Sequence, residues 1–237
     1  MSDVADMTTG KTHVLTVDRG EAGALQLFAV GGGLAATNSF MVADNATRQA
    51  VIFDAPDHTV GPLLDDAQRL GLDVIGLWLT HGHFDHLADH AVVREHFPQS
   101  RLLIHELDLA KLHQPGSKMF PLPFEIPPGE ADELVTDGQE LRIGAIRCEV
   151  IFTPGHSPGH VMYHFPDHEL LVGGDLIIGG AVGRTDLPDS SEARLFESIK
   201  RVMQLPGETM LLPGHGQPSR LEQEAAANPY VRQAMQI

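Results

Sequence analysis

The chain has 237 residues, with 32 acidic side chains against 16 basic ones and a formal net charge of -16. That balance argues against a surface that tracks nucleic-acid phosphates or docks on an anionic membrane. Hydrophobic residues make up 42% of the chain in short runs, and the most apolar stretch, 170–182, is broken by Asp175 and several glycines, so nothing is long enough to span a bilayer.

The length suits one domain over residues 1–237. The N-terminus opens with Ser2, Asp3 and Asp6 and carries no basic-then-apolar region. Cys148 is the single cysteine, which excludes an internal disulfide and, with that N-terminus, predicts a cytoplasmic protein. A homo-oligomer is left open.

Strand-length apolar runs recur at residues 25–30, 40–43, 50–53, 74–79, 102–104, 146–152, 161–165, 170–172 and 210–212. Helical periodicity covers 60–70, closed by Gly71; 86–97, closed by Pro98; and 190–205, closed by Pro206. A short final helix is placed from Ser219, where Ser219 and Glu222 have capping-box spacing. Gly31-Gly32-Gly33 reads as a plain turn, since no helix start follows it. Between residues 114 and 131 five prolines exclude a helix or a central strand. That segment is either a surface loop or a lid, with Phe120 and Phe124 as an apolar wall. Strands first, then mixed strands and helices, predict a layered α/β sandwich rather than a regular parallel repeat.

The run His81-Gly82-His83-Phe84-Asp85-His86 packs four metal-ligating side chains into six residues, directly after the apolar run 74–79. Two histidines at i and i+2 in extended chain point to one side. A helix starting near Asp85 would turn Asp85 and His86 toward a second point. His156 follows Thr153-Pro154-Gly155, Asp175 follows Gly173-Gly174, and His215 follows Pro213-Gly214. Each lies past an apolar run and beside glycine, which places ligands at the ends of buried strands with room for ions.

Five imidazoles and two carboxylates suit two divalent transition-metal ions, zinc first and iron or manganese next, rather than magnesium or calcium. Ions roughly 3.5–4 Å apart would share a water, and the bridging hydroxide would attack an ester-like carbonyl. Gly-x-Ser-x-Gly is absent and Cys148 lies inside a strand, so no side-chain nucleophile is expected. His13, His58, His90, His96, His113, His164 and His168 read as solvated surface residues, and His105 as a structural hydrogen-bond donor. Asp54, ending the 50–53 run, is placed to orient a ligand histidine from behind.

These residues resemble the metallo-β-lactamase superfamily, whose hallmark is His-x-His-x-Asp-His followed by separated His, Asp and His ligands. The resemblance implies a single αββα sandwich. It also implies His81, His83 and His156 on one metal, Asp85, His86 and His215 on the other, and Asp175 as the bridge, with Asp85 and Asp175 as the catalytic carboxylates. Thr153-Pro154-Gly155-His156-Ser157-Pro158-Gly159-His160 resembles the glyoxalase II motif. Gly183-Arg184-Thr185-Asp186-Leu187-Pro188 resembles short bacterial glyoxalase II-like proteins, as do Pro213-Gly214-His215-Gly216 and Asn228-Pro229. That closer resemblance implies hydrolysis of a glutathione thioester such as S-D-lactoylglutathione. His160 and Arg184 would contact this small-molecule substrate, or Arg184 and Asp186 would pair to buttress their loop. Longer glyoxalase II enzymes place basic glutathione-binding residues in a C-terminal helical region, whereas here 22 residues follow His215, with Arg220 and Arg232 the only bases.

The main rival is a persulfide dioxygenase on the same scaffold, with one iron held by His81, His156 and Asp175. Those enzymes usually carry cysteine where this chain has His160. A lactonase is disfavoured by Ile178, where such enzymes generally have tyrosine.

Overall fold

The computed structural model describes residues 13–18, 24–117 and 119–236. Two sheets face each other, with helices on both outer sides. The first sheet runs in chain order: β1 (His13–Asp18), β2 (Ala24–Gly32), β3 (Thr37–Asp44), β4 (Gln49–Phe53), β5 (Asp73–Trp78), β6 (Arg101–His105) and β7 (Glu133–Val135). Its first four strands pair antiparallel, and β4 to β7 pair parallel. The second sheet is built from β8 (Glu140–Ile143), β9 (Ile146–Phe152), β10 (Val161–Phe165), β11 (Leu170–Gly174), β12 (Met210–Pro213) and β13 (Ser219–Arg220).

Strand side chains alternate faces, and the alternation divides the core into three layers. On β3 and β4, Phe40, Val42, Val51 and Phe53 face the second sheet. Met41, Ala43, Ala50 and Ile52 face the helices behind the first sheet. On β10 and β11, Val161, Tyr163, Phe165, Leu170 and Val172 join the central layer, while Met162 and Leu171 face the helices behind the second. Strands covered on both faces read as continuous apolar runs rather than alternating ones, which is why they stand out in the sequence. The central layer is closed by Phe53, Trp78, Tyr163 and Phe165, whose rings meet at centroid distances of 5.1 to 6.0 Å.

The helices are α1 (Gly61–Leu70), α2 (Phe84–Leu87), α3 (His90–His96), α4 (Leu109–His113), α5 (Glu192–Val202), α6 (Leu221–Ala227) and α7 (Pro229–Gln236). In α1, Leu63, Leu64 and Ala67 are buried, and Gly71 ends the helix at φ 63°. In α5, Ser191 caps the first turn and Leu195, Phe196, Ile199 and Val202 pack on the second sheet. The helix expected over 86–97 is two short ones. The break falls where Ala55 inserts: Ala55 N donates to the His86 carbonyl at 2.7 Å and the Ala55 carbonyl accepts from Asp89 N at 2.8 Å. The final helix starts at Leu221 instead of Ser219, because Gln223 Oε1 accepts from Arg220 N and the capping contact falls one residue later.

The short strands β1, β7, β8 and β13 were not expected. The chain start at Ser2, Asp3 and Asp6 lies outside the described residues, and His13 falls on β1. Among the described residues no helix is long and apolar enough to cross a membrane.

Candidate metal centre

The functional side chains gather where strands of both sheets end. His81 and His83 follow β5, His156 follows β9, Asp175 follows β11 and His215 follows β12. Asp85 and His86 sit on α2, which redirects the chain immediately after His83.

The first group is three imidazoles. His83 Nδ1 lies 3.0 Å from His81 Nε2 and 2.9 Å from His156 Nε2. Ligand atoms on one tetrahedral ion at 2.0–2.1 Å stand roughly 3.3 Å apart, close to this spacing. Burial and the neighbouring imidazoles push His81 well below its usual range and His83 down to about 4. Each ring therefore carries a lone pair at neutral pH, the form that binds metal. His156 Nδ1 donates to the Arg184 carbonyl at 2.9 Å, which leaves its Nε2 lone pair aimed at the other two rings.

The second group sets a carboxylate against two imidazoles. Asp85 Oδ2 lies 3.6 Å from His86 Nε2 and 3.4 Å from His215 Nε2, and accepts from Thr37 Oγ1 at 3.0 Å. Against the opposing effect of burial, Asp175, Asp54 and Asp85 raise His86 well above its usual range, and hydrogen bonds that its ring donates to Asp175 and Asp85 lift His215 to about 10. The carboxylate field that raises two imidazoles is also a field that attracts a divalent cation.

Asp175 touches both groups. Its Oδ2 lies 3.4 Å from His156 Nε2 and 3.2 Å from His215 Nε2, and its Oδ1 lies 3.5 Å from His86 Nε2. His86 Nε2 and Asp175 Oδ1 are both buried without a hydrogen-bond partner. Two orphaned polar atoms facing each other in a buried site carry a desolvation cost of several kcal/mol unless something binds them. A cation does so, and the residues fit one on each side of Asp175. The ligand triads His81/His83/His156, His81/His86/Asp175 and Asp85/His86/His215 each keep one donor atom per residue within 4.8 Å of the others.

Two buried carboxylates hold this arrangement. Asp54 Oδ2 accepts from His86 Nδ1 and from Thr80 Oγ1, both at 2.8 Å. Thr80 Oγ1, its hydrogen given to Asp54, can only accept from His81 Nδ1 at 3.0 Å. Asp54 thus fixes the ring tautomer of one histidine in each group. Asp108, fully buried, ties the two ligand loops together. It accepts from Gly82 N at 2.8 Å, Gly159 N at 3.1 Å, Ser157 Oγ and, at 2.8 Å, Lys111 Nζ. Thr80, Asp108, Lys111 and Ser157 were missed by the sequence reading. Thr80 and Ser157 flank His81 and His156 and were open to inspection; Asp108, 26 residues from Gly82 and 49 from Ser157, had no local signal.

A cavity of about 630 Å³ opens above the centre, with His83, Asp85, His156, Asp175 and His215 on its floor. Arg184 lines it and pairs with Asp186 at 2.6 and 2.7 Å on an exposed surface. Asp186 therefore braces Arg184, whose carbonyl accepts from His156 Nδ1. His160 does not reach the cavity, which corrects its expected contact with substrate. It is fully buried, burial and His156 push it down to about 3, and its Nε2 accepts from Asp175 N at 2.9 Å while its Nδ1 faces Thr153 Oγ1. It holds the backbone of Asp175 in place.

Phe120 lines the cavity as expected of an apolar wall. Phe124 instead packs against the outer core and the ring of His58. His90, His164 and His168 are buried rather than solvated. His105 Nδ1 accepts from Leu107 N, the reverse of the expected donor role, and its ring stacks on Phe152.

Fold and site together define a metal-dependent hydrolase. The family model described as the metallo-beta-lactamase superfamily matches residues 32–215, and the chain belongs to that superfamily. It is 34% identical over 206 residues to the probable metallo-hydrolase YqgX of Bacillus subtilis (strain 168), covering 84% of this chain and 94% of that one. It is 31% identical over 176 residues to the hydroxyacylglutathione hydrolase of Gloeobacter violaceus, covering 74% of this chain and 62% of the relative. Among solved structures, BLEG-1 B3 metallo-beta-lactamase superposes with a TM-score of 0.80 at 31% identity. TTHA1623 in a di-iron-bound form does so at 0.76 and 34%. Each comparison covers 86% of this chain and 99% of the other.

Proposed function

We propose that the chain, acting as one domain, hydrolyses a glutathione thioester such as S-D-lactoylglutathione at a centre of two divalent metal ions. The observation that carries this reading is the reach of Asp175 to both ligand groups on the floor of an open cavity. His81, His83 and His156 would hold one ion, Asp85, His86 and His215 the other, with Asp175 between them. Bound there, the ions would lower the pKa of an attacking water and polarise the scissile carbonyl. The choice of zinc, iron or manganese is for metal analysis.

The chain's own residues favour a substrate whose leaving group needs no proton. The imidazoles and two of the three carboxylates lining the cavity are ligands, and Lys111 Nζ, also on the wall, is engaged by Asp108, Asp189 and Ser157 at 2.7 to 2.9 Å. A thiol ionises near pH 8.5 and leaves as thiolate without a general acid. An alcohol or amine does not. Arg184, at the exposed rim and paired with Asp186, would contact the substrate there. The likeness to a hydroxyacylglutathione hydrolase supports the same class of substrate.

The test is to incubate metal-analysed protein with S-D-lactoylglutathione and follow thiol release. Release in proportion to metal content supports the proposal. Oxygen uptake with glutathione persulfide and no thioester cleavage overturns it in favour of the dioxygenase reading.

A further inference from the structure

We infer that the cavity receives the acyl arm of its substrate as an uncharged, apolar group, on a wall formed by Phe84, Met119, Phe120, Ile178, Val182 and Leu187. The inference rests on the thioesterase reading and names the acyl class that the site selects.

Three observations carry it. The first is the character of the wall. All six side chains line the cavity beside the metal ligands, and Met119 and Phe120 are 54% and 44% exposed. Large apolar groups left in water at a cavity mouth gain nothing from folding and mark a surface that buries a partner. They are also held in place. Ser117 Oγ accepts from Met119 N and Phe120 N at 3.2 and 3.4 Å, which turns both residues together, and the Phe120 ring meets Phe84 edge to face at 5.9 Å.

The second observation is charge. Both cations on the wall already face carboxylates. Arg184 is paired with Asp186, and Lys111 with Asp108 and Asp189. A charged acyl group would have to displace one of these carboxylates inside a chain of net charge -16, whereas an apolar one displaces only water.

The third is size. A volume of about 630 Å³ falls in the range that encloses a whole small ligand.

The experiment uses the full metal-loaded chain and N-acetylcysteamine thioesters carrying acetyl, butanoyl, hexanoyl, octanoyl and succinyl groups. Each added methylene buried on the wall raises kcat/KM by up to roughly fourfold, until the wall is covered. The double variant Met119→Ser/Phe120→Ser flattens that slope, and an unmoved slope would remove these two residues from the acyl site. In parallel, calorimetry measures binding of uncleavable S-alkyl thioethers of the same chain lengths. Thioether affinity that climbs with length while no thioester is cleaved keeps the apolar site and overturns the thioesterase reading. Cleavage that is flat or falling with chain length, or faster for succinyl than for butanoyl, overturns this inference and leaves the thioesterase reading standing.

Discussion

The Asp54 carboxylate accepts from His86 Nδ1 at 2.8 Å with both groups buried, and through Thr80 the same carboxylate steers His81. One side chain outside the ligand set therefore orients a histidine in each metal group. Asp54 sits at φ 59°, a left-handed conformation that asparagine tolerates better than most residues. Asp54→Asn should keep the backbone and lose the anionic acceptor. Metal affinity is expected to fall by about 10–100-fold, read by competition with a chelator, while the far-ultraviolet spectrum stays unchanged. Undiminished affinity would remove Asp54 from the support of the site.

Gly214 is required by close approach. A Cβ at that position would collide with Asp175 Oδ1 and stand 2.7 Å from His86 Cε1. Gly214→Ala should displace the Asp175 carboxylate and reduce bound metal by about half or more, measured by elemental analysis of the folded protein. Full loading would show that the carboxylate tolerates the shift.

Asp108 joins the loop carrying His81 and His83 to the loop carrying His156 and His160. Its carboxyl is held low by Lys111 against the opposing effect of burial. Asp108→Ala leaves the buried Gly82 and Gly159 N–H groups without an acceptor and removes one of the two carboxylates facing Lys111, so a loss of about 3 kcal/mol in unfolding free energy is expected. Urea denaturation checks it. A change below about 1 kcal/mol would mean that water replaces the carboxylate without cost.

His90 gives a pH dependence. Burial lowers its pKa in the folded chain, opposed by a hydrogen bond to Pro127 O, whereas in the unfolded chain it titrates near 6.5. Between those values the unfolded state binds more protons. The stability contributed by neutral His90 is thus fully present above pH 6.5 and is lost as the pH falls below it. His90→Gln should make the denaturation midpoint less sensitive between pH 7 and pH 5 than in the parent. An equal slope in both proteins would contradict this.

Much of the layered fold was legible because the central strands are buried on two faces and print as apolar runs, as Met41 and Phe40 show by serving opposite layers. The edge strands β7 and β8 were not legible. They are three and four residues long and carry Glu133, Glu140 and Arg142, and backbone pairing rather than side-chain pattern defines them. The seven proposed ligands were legible because ligand chemistry demands those residue types beside glycine. Their supports were not. Asp108 and the carbonyl of Arg184 act through hydrogen bonds between loops distant in sequence. His160 shares a motif with His156, yet local spacing could not show that its ring turns inward to hold Asp175 N instead of facing the cavity.

The two-metal thioesterase account is tested most directly by measuring metal-to-protein ratio and thiol release from S-D-lactoylglutathione on one preparation, alongside Asp175→Ala. The account predicts two ions per chain, thiol release that scales with metal, and loss of both in the variant, because Asp175 faces both ligand groups. One ion per chain with oxygen uptake on glutathione persulfide and no thiol release, or full turnover in Asp175→Ala, would contradict it.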